Sequence, residues 1–160
     1  MFKLIPLGQV FRSASFRIDN VLIEQGINIS GIYREIHGAN TSSHIGTDSY
    51  FKKLDDNWYS NCYERNNLLV LNGSRTVDLF CKHTNQKISF TLTPDNIYKN
   101  NKLYYGSPGI ISWYGDIYHK TKSGNEGSVS INFTENAYSI EEIKEFKREK
   151  EEEYIFMNLS

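Results

Sequence analysis

Histidine is the side chain best suited to proton transfer near neutral pH, and this sequence has four of them. His119 ends an aromatic-rich run that begins at Trp113 and includes Tyr118. Such a run can form the wall of a small-molecule pocket, with the imidazole as a base and the aromatic side chains beside it. We therefore predict catalytic roles for His119 and Tyr118 and a ligand contact for Trp113. The alternative is an ordinary strand histidine that is hydrogen-bonded to a neighbour.

His37 is the second histidine with a chemical partner close in sequence, because Arg34 precedes it by three residues. A neutral imidazole can remove a proton next to a carbonyl group, and the planar guanidinium of arginine binds phosphate oxygens in pairs. On a regular strand, residues three apart face opposite sides, so the two side chains share one site only if a bulge intervenes. His44 lies in a polar run that is typical of a surface loop, and His83 lies in a predicted turn.

Tyr59, Asn61 and Tyr63 alternate along the chain, so all three would point into the interior if this segment is a strand. Phenol and amide groups donate and accept hydrogen bonds and therefore suit hydroxyl-rich ligands. Aromatic faces can also pack against sugar rings. We predict that these three residues bind a ligand, together with Tyr105.

The strongest strand signal surrounds Asn72-Gly73, which separates the apolar run 68–71 from the alternating run 75–81. Asn-Gly between apolar runs predicts a type I′ hairpin turn, and Val77, Leu79 and Cys81 would share one face of the second arm. A second turn at 83–86 leads into a strand over 87–92. Further strands are predicted at 28–36, 102–105, 109–113, 116–122 and 129–133. Many short strands at this spacing predict an all-β sandwich or barrel.

The C-terminal segment has a different pattern. Ser139 and Glu142 have the spacing of a helix capping box, and Ile140, Ile143 and Phe146 follow at near-helical spacing. We therefore predict one barrel domain over residues 1–138 and a C-terminal α-helix over 139–156. This helix would pack its short apolar stripe on the barrel or on a partner.

Composition narrows the partners and the location. The chain of 160 residues has a net charge of −1 and no basic cluster outside the predicted helix, so no nucleic-acid partner is expected. Its two cysteines have neither a disulfide-framework pattern nor metal-type spacing. The apolar run at the start of the sequence is too short for a signal peptide or a membrane span. We predict a cytoplasmic protein with no membrane attachment.

The pattern of these segments resembles the cupin superfamily. The first cupin motif, H-x-H-x(3,4)-E-x6-G, aligns with Tyr59, Asn61, Asn66 and Gly73, so none of its three ligand types is present. In the second motif His119 aligns with the fourth usual ligand. The resemblance implies a double-stranded β-helix, also called a jelly-roll barrel. Because one imidazole provides too few donors for a transition metal, we expect no metal and no cofactor.

The segment Gly31–His37 resembles an early strand of the rhamnose-pathway 3,5-epimerases, which reads G-[IV]-x-R-G-[IL]-H. These epimerases are metal-independent cupins that act on dTDP-sugars. The resemblance implies that Arg34 contacts the nucleotide phosphates and that His37 is the general base. Glu35 stands where the family has glycine. The related sugar-nucleotide ketoisomerases have a similar hairpin, but their histidine pair aligns with Tyr59 and Asn61.

We draw a principal functional hypothesis and one alternative from these residues. The first is a protein that binds a small polar ligand, a carbohydrate or a nucleotide-sugar, with metal-independent epimerase or isomerase chemistry as its catalytic form. A base, His37 or His119, would remove a proton beside a keto group, and a tyrosine across the pocket (Tyr59, Tyr105 or Tyr118) would reprotonate the opposite face. The alternative is a binding or regulatory protein that has kept the barrel and lost the chemistry.

A third hypothesis is a metal-dependent oxygenase with an unusual ligand set such as His37, Glu64 and His119. Another unorthodox metal set would pair His37 with His44, Asp48 or Asp55. For the assembly we predict a homodimer, because two-fold dimers are the commonest oligomers.

Overall fold

The computed structural model describes residues 1–7, 18–42, 52–53, 58–60, 64–115 and 117–136. Within these ranges the elements in chain order are β1 (Phe2–Pro6), α1 (Ile18–Glu24), β2 (Gly31–His37), β3 (Lys52–Lys53), β4 (Tyr59–Ser60), β5 (Glu64–Cys81), β6 (Gln86–Leu92), β7 (Ile97–Lys99), β8 (Lys102–Tyr105), β9 (Gly109–Trp113) and β10 (Tyr118–Asn136). The predicted all-β fold is confirmed. The predicted helix over 139–156 lies outside the described residues.

Two long neighbouring strands organise the sheet. β5 and β10 pair antiparallel along almost their whole lengths, from Tyr118 opposite Phe80 to Asn136 opposite Glu64. Near the middle the ladder is interrupted between Ser123 and Ser128. On either side of this bulge the two strands have different outer neighbours, so the pair belongs to two half-sheets.

The first half-sheet has the order β3-β4-β10-β5-β6-β7-β8. The second has the order β2-β10-β5-β9-β1 and uses the other halves of β5 and β10. One apolar cluster contains residues of both half-sheets: Leu68 and Ile111 of the second, and Val77, Leu79 and Phe90 of the first. The two half-sheets therefore pack face to face. This curled antiparallel arrangement is the predicted double-stranded β-helix.

Alternation along the strands separates the buried face from the outer one. In β5, Val77 and Leu79 are fully buried in the shared core and Cys81 packs against it, as predicted. β6 continues the same face with Phe90 and Leu92. Full burial of one such large side chain stabilises the fold by about 2–3 kcal/mol.

Helix α1 was not predicted, and it covers the outer face of the second half-sheet. Ile18, Val21 and Leu22 recur at helical spacing and join a second apolar cluster with residues of the sheet. The helix ends in a Schellman motif, in which the N–H groups of Gly26 and Ile27 donate to carbonyls of the last turn. Gly26 has the positive φ of 76° that this motif requires. The pattern spans only seven residues, which is too short to stand out in the sequence.

The predicted hairpin turn at Asn72-Gly73 is wrong. β5 continues through both residues, and β10 pairs with it on both sides. Gly73 has a φ of 70°, but a type I′ turn needs a positive φ at both central positions, and Asn72 does not have one. The glycine instead allows the strands to touch at the bulge, because a Cβ on Gly73 would overlap the carbonyl oxygen of Gly127.

The other predicted strands are found with small changes of boundary. The turn after Cys81 and the strands at 102–105 and 109–113 are confirmed, while the segments 116–122 and 129–133 belong to the single strand β10. The strand predicted at 28–36 begins at Gly31. In the part of the chain that the structure describes, no helix is both long enough and apolar enough to span a membrane.

Candidate active site

Polar side chains occupy part of the interior face, which we define as the face of the two half-sheets that is turned toward the shared apolar core. Alternate residues of each strand point to this face, and the strand register places them side by side. Glu35 of β2 is opposite Ser130 of β10, and His37 is opposite Ser128. Arg75 of β5 reaches the same region, because its guanidinium contacts Ser128.

Arg75 lies at the centre of this region and is 1% exposed. Its Nη2 donates a 2.8 Å hydrogen bond to Oγ1 of Thr121 and lies 3.5 Å from Oε2 of Glu35. Its Nη1 donates to Oγ of Ser128 over 3.5 Å. Burial lowers the pKa of Arg75, and the carboxylate of Glu35 and, at a pH where it is ionised, the phenolate of Tyr59 raise it. Because an arginine keeps its proton in proteins, the interior holds a permanent positive charge.

One carboxylate oxygen of Glu35 connects three strands. Glu35 Oε2 lies 3.5 Å from Nη2 of Arg75 on β5 and 3.9 Å from Nε2 of His37 on its own strand, β2. It also accepts a 3.4 Å hydrogen bond from Oγ of Ser130 on β10. At 3.9 Å the carboxylate is too far from the imidazole for a hydrogen bond, but its charge can stabilise positive charge on the ring.

His37 is neutral near physiological pH. Burial lowers its pKa most, the cation of Arg75 lowers it further, and Glu35 raises it. Within the described ranges, Nε2 of His37 is buried and has no hydrogen-bond partner. A neutral imidazole beside a carboxylate is the arrangement of a general base. We call Glu35, His37 and Arg75 the ionic cluster.

A second group of polar side chains lies around His119, and we call Tyr59, Asn66, Trp113 and His119 the neutral cluster. Tyr59 of β4 is paired with His119 of β10, and the two ring centroids are 4.2 Å apart. The Trp113 ring lies 5.2 Å from the His119 ring. Asn66 is directly opposite Trp113 in the ladder of β5 and β9. The four side chains therefore form one continuous group.

Burial keeps His119 uncharged. Desolvation lowers the pKa of His119 from 6.5 to about 4, although an interaction with the Ile117 backbone acts in the opposite direction. Three buried nitrogen atoms of the cluster have no hydrogen-bond partner among the residues that the structure describes: Nε1 of Trp113, Nδ2 of Asn66 and Nδ1 of His119. An unmade hydrogen bond of this kind costs roughly 1–3 kcal/mol. These atoms are therefore natural contacts for polar atoms of a ligand.

Four of the predicted site residues lie in these two clusters: His37, Tyr59, Trp113 and His119. Arg34 does not, because β2 pairs with β10 without a bulge and Arg34 is exposed on the face opposite to His37.

The remaining predicted residues lie elsewhere. Tyr118 packs its ring 6.4 Å from that of Phe80, on the outer face of the sheet. Tyr105 packs against the shared apolar core. Asn61 and Tyr63 lie outside the described residues. Of the three tyrosines proposed as the acid, Tyr59 is the one that the fold brings beside a histidine of the interior.

The sequence-based interpretation missed Glu35, Asn66 and Arg75 as site residues. Arg75 carries a signal, because it stands in register with Val77 on a face that must be buried, and a buried charge needs a partner. Glu35 could have been found in the same way, since it is two residues from His37 and shares its face. Asn66 had been considered only as a lost metal ligand.

The residues present do not fit the metal that the cupin resemblance implies. Around His119 the side chains are aromatic rings and an amide, whereas transition metals in proteins take several imidazole, carboxylate or thiolate ligands. In the described ranges, no three His, Cys, Asp or Glu side chains are placed to hold an ion. The set of His37, Glu64 and His119 is therefore not brought together. The other metal set depends on residues outside the described ranges: His44, Asp48 and Asp55.

No protein-family model and no curated protein matches the sequence. A comparison with solved structures finds chains that resemble this one in part. A sugar 3,4-ketoisomerase from Thermoanaerobacterium thermosaccharolyticum in complex with TDP is 14% identical with a TM-score of 0.42, over 70% of this chain and 63% of that one. A dTDP sugar isomerase from Desulfovibrio desulfuricans is 10% identical with a TM-score of 0.48, over 88% and 76%. The rmlC epimerase from Mycobacterium tuberculosis is 9% identical with a TM-score of 0.46, over 78% and 55%.

The chain thus spans 63% of the ketoisomerase and 55% of the epimerase. These matches are sugar-nucleotide isomerases and an epimerase, the group of enzymes that the sequence was expected to resemble. The assignment of a site depends on the residues of this chain.

Proposed function

We propose that the interior face binds a carbohydrate or nucleotide-sugar, and that the ionic cluster makes the protein a metal-independent sugar epimerase or isomerase. The observation that carries this proposal is the contact of Glu35 with both His37 and the buried Arg75. It combines a neutral base, a carboxylate that can stabilise positive charge on this base, and a fixed cation on one face of a barrel.

Each member of the cluster has a role in proton transfer next to a carbonyl group. His37 is neutral and can accept the proton. Glu35 would stabilise the imidazolium that forms. Arg75 would stabilise the negative charge that develops on the carbonyl oxygen, because a preorganised cation is most effective in a buried site.

Tyr59 is the proposed acid for the return of the proton. Of the three candidate tyrosines, it is the one whose ring lies against a histidine of the interior face, His119. When ionised, its phenolate would raise the pKa of Arg75, so its hydroxyl lies within electrostatic reach of the ionic cluster. Base and acid would then come from two strands, β2 and β4, and the reaction requires that they contact opposite faces of the sugar ring.

The experiment that tests this function is deuterium exchange. A dTDP-linked 4-keto sugar is incubated with the protein in D2O, and proton NMR follows the signals beside the keto group. The epimerase or isomerase proposal expects loss of one of these signals at a rate proportional to the protein concentration. No exchange above the protein-free control, together with measurable binding, would support a binding protein without turnover.

A non-catalytic binding protein is the second candidate. The observation in its favour is that Arg75 already has Glu35, Thr121 and Ser128 as partners. Such an ion pair can serve to hold three strands in register, without any role in catalysis. Under this alternative the interior binds the sugar and releases it unchanged.

We further propose a cytoplasmic homodimer. In the described part of the chain β2 pairs with β10 alone, so its other edge could pair with a second copy, and Ile36 on this strand is 83% exposed. An open strand edge with apolar side chains is a surface for association. Sedimentation equilibrium at micromolar concentration tests the proposal, since a monomer there would exclude a stable dimer.

A further inference from the structure

We propose that the neutral cluster is a subsite for an uncharged oxygen of the ligand, a sugar hydroxyl or carbonyl, with the N–H groups of Trp113 and Asn66 as its donors. The inference rests on the proposed function, because it assigns one part of the same ligand to a place separate from the ionic cluster. It adds a specificity determinant that the motif comparison did not indicate.

The two donors are defined by their surroundings. The indole of Trp113 can only donate. The amide of Asn66 is oriented by its own oxygen, because Oδ1 of Asn66 accepts a 2.8 Å hydrogen bond from Nδ2 of Asn132. This leaves Nδ2 of Asn66 as a donor without a partner among the described residues.

The two donors also lie close together on one face. Asn66 and Trp113 are directly opposite each other in an antiparallel ladder, and such pairs have Cβ atoms about 4.5–5.5 Å apart. Both side chains are more than nine-tenths buried. Because both donors are buried and face each other, we expect a ligand oxygen that accepts a hydrogen bond from each of them.

The charge of the surroundings selects an uncharged acceptor. His119 is neutral, since burial lowers its pKa to about 4, and it therefore offers no cation. Arg75 lies in the ionic cluster and already contacts a carboxylate. A buried anion without its own counterion pays a desolvation cost of several kcal/mol. The rings of Tyr59 and Trp113 add aromatic surface that suits the C–H faces of a sugar.

The two tryptophans of the chain allow a direct test, because Trp58 lies on the outer face with its ring 5.7 Å from that of Phe80. The wild-type protein labelled with nitrogen-15 gives one indole N–H signal for each tryptophan, and the Trp58→Phe variant assigns them. Both are titrated with dTDP-glucose and with dTDP, and calorimetry measures the affinity of each probe. We expect dTDP-glucose to shift the Trp113 signal, dTDP to shift it far less, and neither to shift the Trp58 signal.

Substitution of each tryptophan in turn measures what its N–H group contributes to ligand affinity. Trp113→Phe removes the N–H group and keeps an aromatic ring, so the affinity for dTDP-glucose should fall about tenfold, the equivalent of one lost hydrogen bond. The affinity for dTDP should be unchanged. Trp58→Phe is the control and should leave both affinities at the wild-type value.

The possible failures are distinguishable. If dTDP-glucose binds but the Trp113 signal does not move, the inference is overturned and the proposed function stands. If neither probe binds, the nucleotide-sugar form of the proposed function is overturned and the inference with it. If Trp113→Phe does not fold, the titration of the wild-type protein still shows whether the ligand contacts the indole N–H of Trp113.

Discussion

Oε2 of Glu35 lies 3.5 Å from Nη2 of Arg75, although their two strands are not neighbours. Glu35 belongs to β2 and Arg75 to β5, and β10 runs between them and pairs with both. The ion pair therefore spans a strand on the interior face and joins the two half-sheets near the bulge. The same carboxylate oxygen lies 3.9 Å from Nε2 of His37, so one carboxylate faces both the buried cation and the candidate base.

Glu35→Gln should lower the free energy of unfolding, because it leaves the buried guanidinium without its counterion. We expect a loss of about 1–3 kcal/mol, which is less than the loss for a fully buried pair because the Glu35 side chain is 33% exposed. Urea denaturation followed by circular dichroism measures it. Glu126→Gln, at an exposed position of β10, is the control. If the two variants are equally stable, the ion pair of Glu35 and Arg75 does not contribute to the stability of the fold.

His119 should make the protein less stable in mild acid. Its pKa is lowered to about 4 in the fold, so the unfolded chain binds a proton at a higher pH than the folded chain does. This contribution to stability is complete above about pH 6.5 and is lost as the pH falls toward 4. Its full size is about 3 kcal/mol.

Urea denaturation at several pH values measures this dependence. His119→Asn should flatten the slope of stability against pH between 6.5 and 4, whereas His83→Asn, at an exposed turn position, should leave it unchanged. If both variants keep the wild-type slope, the loss of stability in acid comes from other groups.

His37→Gln should abolish most of the proton exchange into a dTDP-linked keto sugar. The loss of a general base lowers the rate by about 10²–10⁴-fold, with a smaller effect on ligand affinity. Arg34→Gln is the matched comparison, because this exposed residue on the opposite face of β2 should change the rate little. If both variants lose a similar fraction of the exchange rate, Arg34 contacts the ligand after all, as the family resemblance implies. The ligand would then lie in a different position.

Gly73→Ala should be strongly destabilising for two reasons. Gly73 has a φ of 70°, and a Cβ there would overlap the Gly127 carbonyl oxygen. We expect a loss of more than about 1 kcal/mol in the free energy of unfolding. Gly106→Ala is the control, since its Cβ would lie 3.8 Å from Leu103, at ordinary contact distance. Urea denaturation measures this loss. If Gly73→Ala has the same denaturation midpoint as the wild type, the two strands can separate at the bulge at little cost.

The all-β class and the inward face of the strands can be read from the sequence, because alternation is a local property of the chain. Val77 and Leu79 identify the buried face of β5 without any knowledge of its neighbours, and the same holds for Phe90 and Leu92 in β6. The two histidines that occupy the interior, His37 and His119, were also found from their residue type and surroundings. A single turn of apolar spacing at Ile18 was too little to reveal α1.

Tertiary structure decided how the strands connect and which polar residues meet. Asn72-Gly73 has the local preference for a turn, yet pairing with β10 along the whole of β5 outweighs it, and the glycine is used for a close strand contact instead. Glu35 and Arg75 are 40 positions apart in sequence, and nothing local relates them. Their contact depends on the register of β10 with both neighbouring strands, and long-range register is set by the packing of the whole sheet.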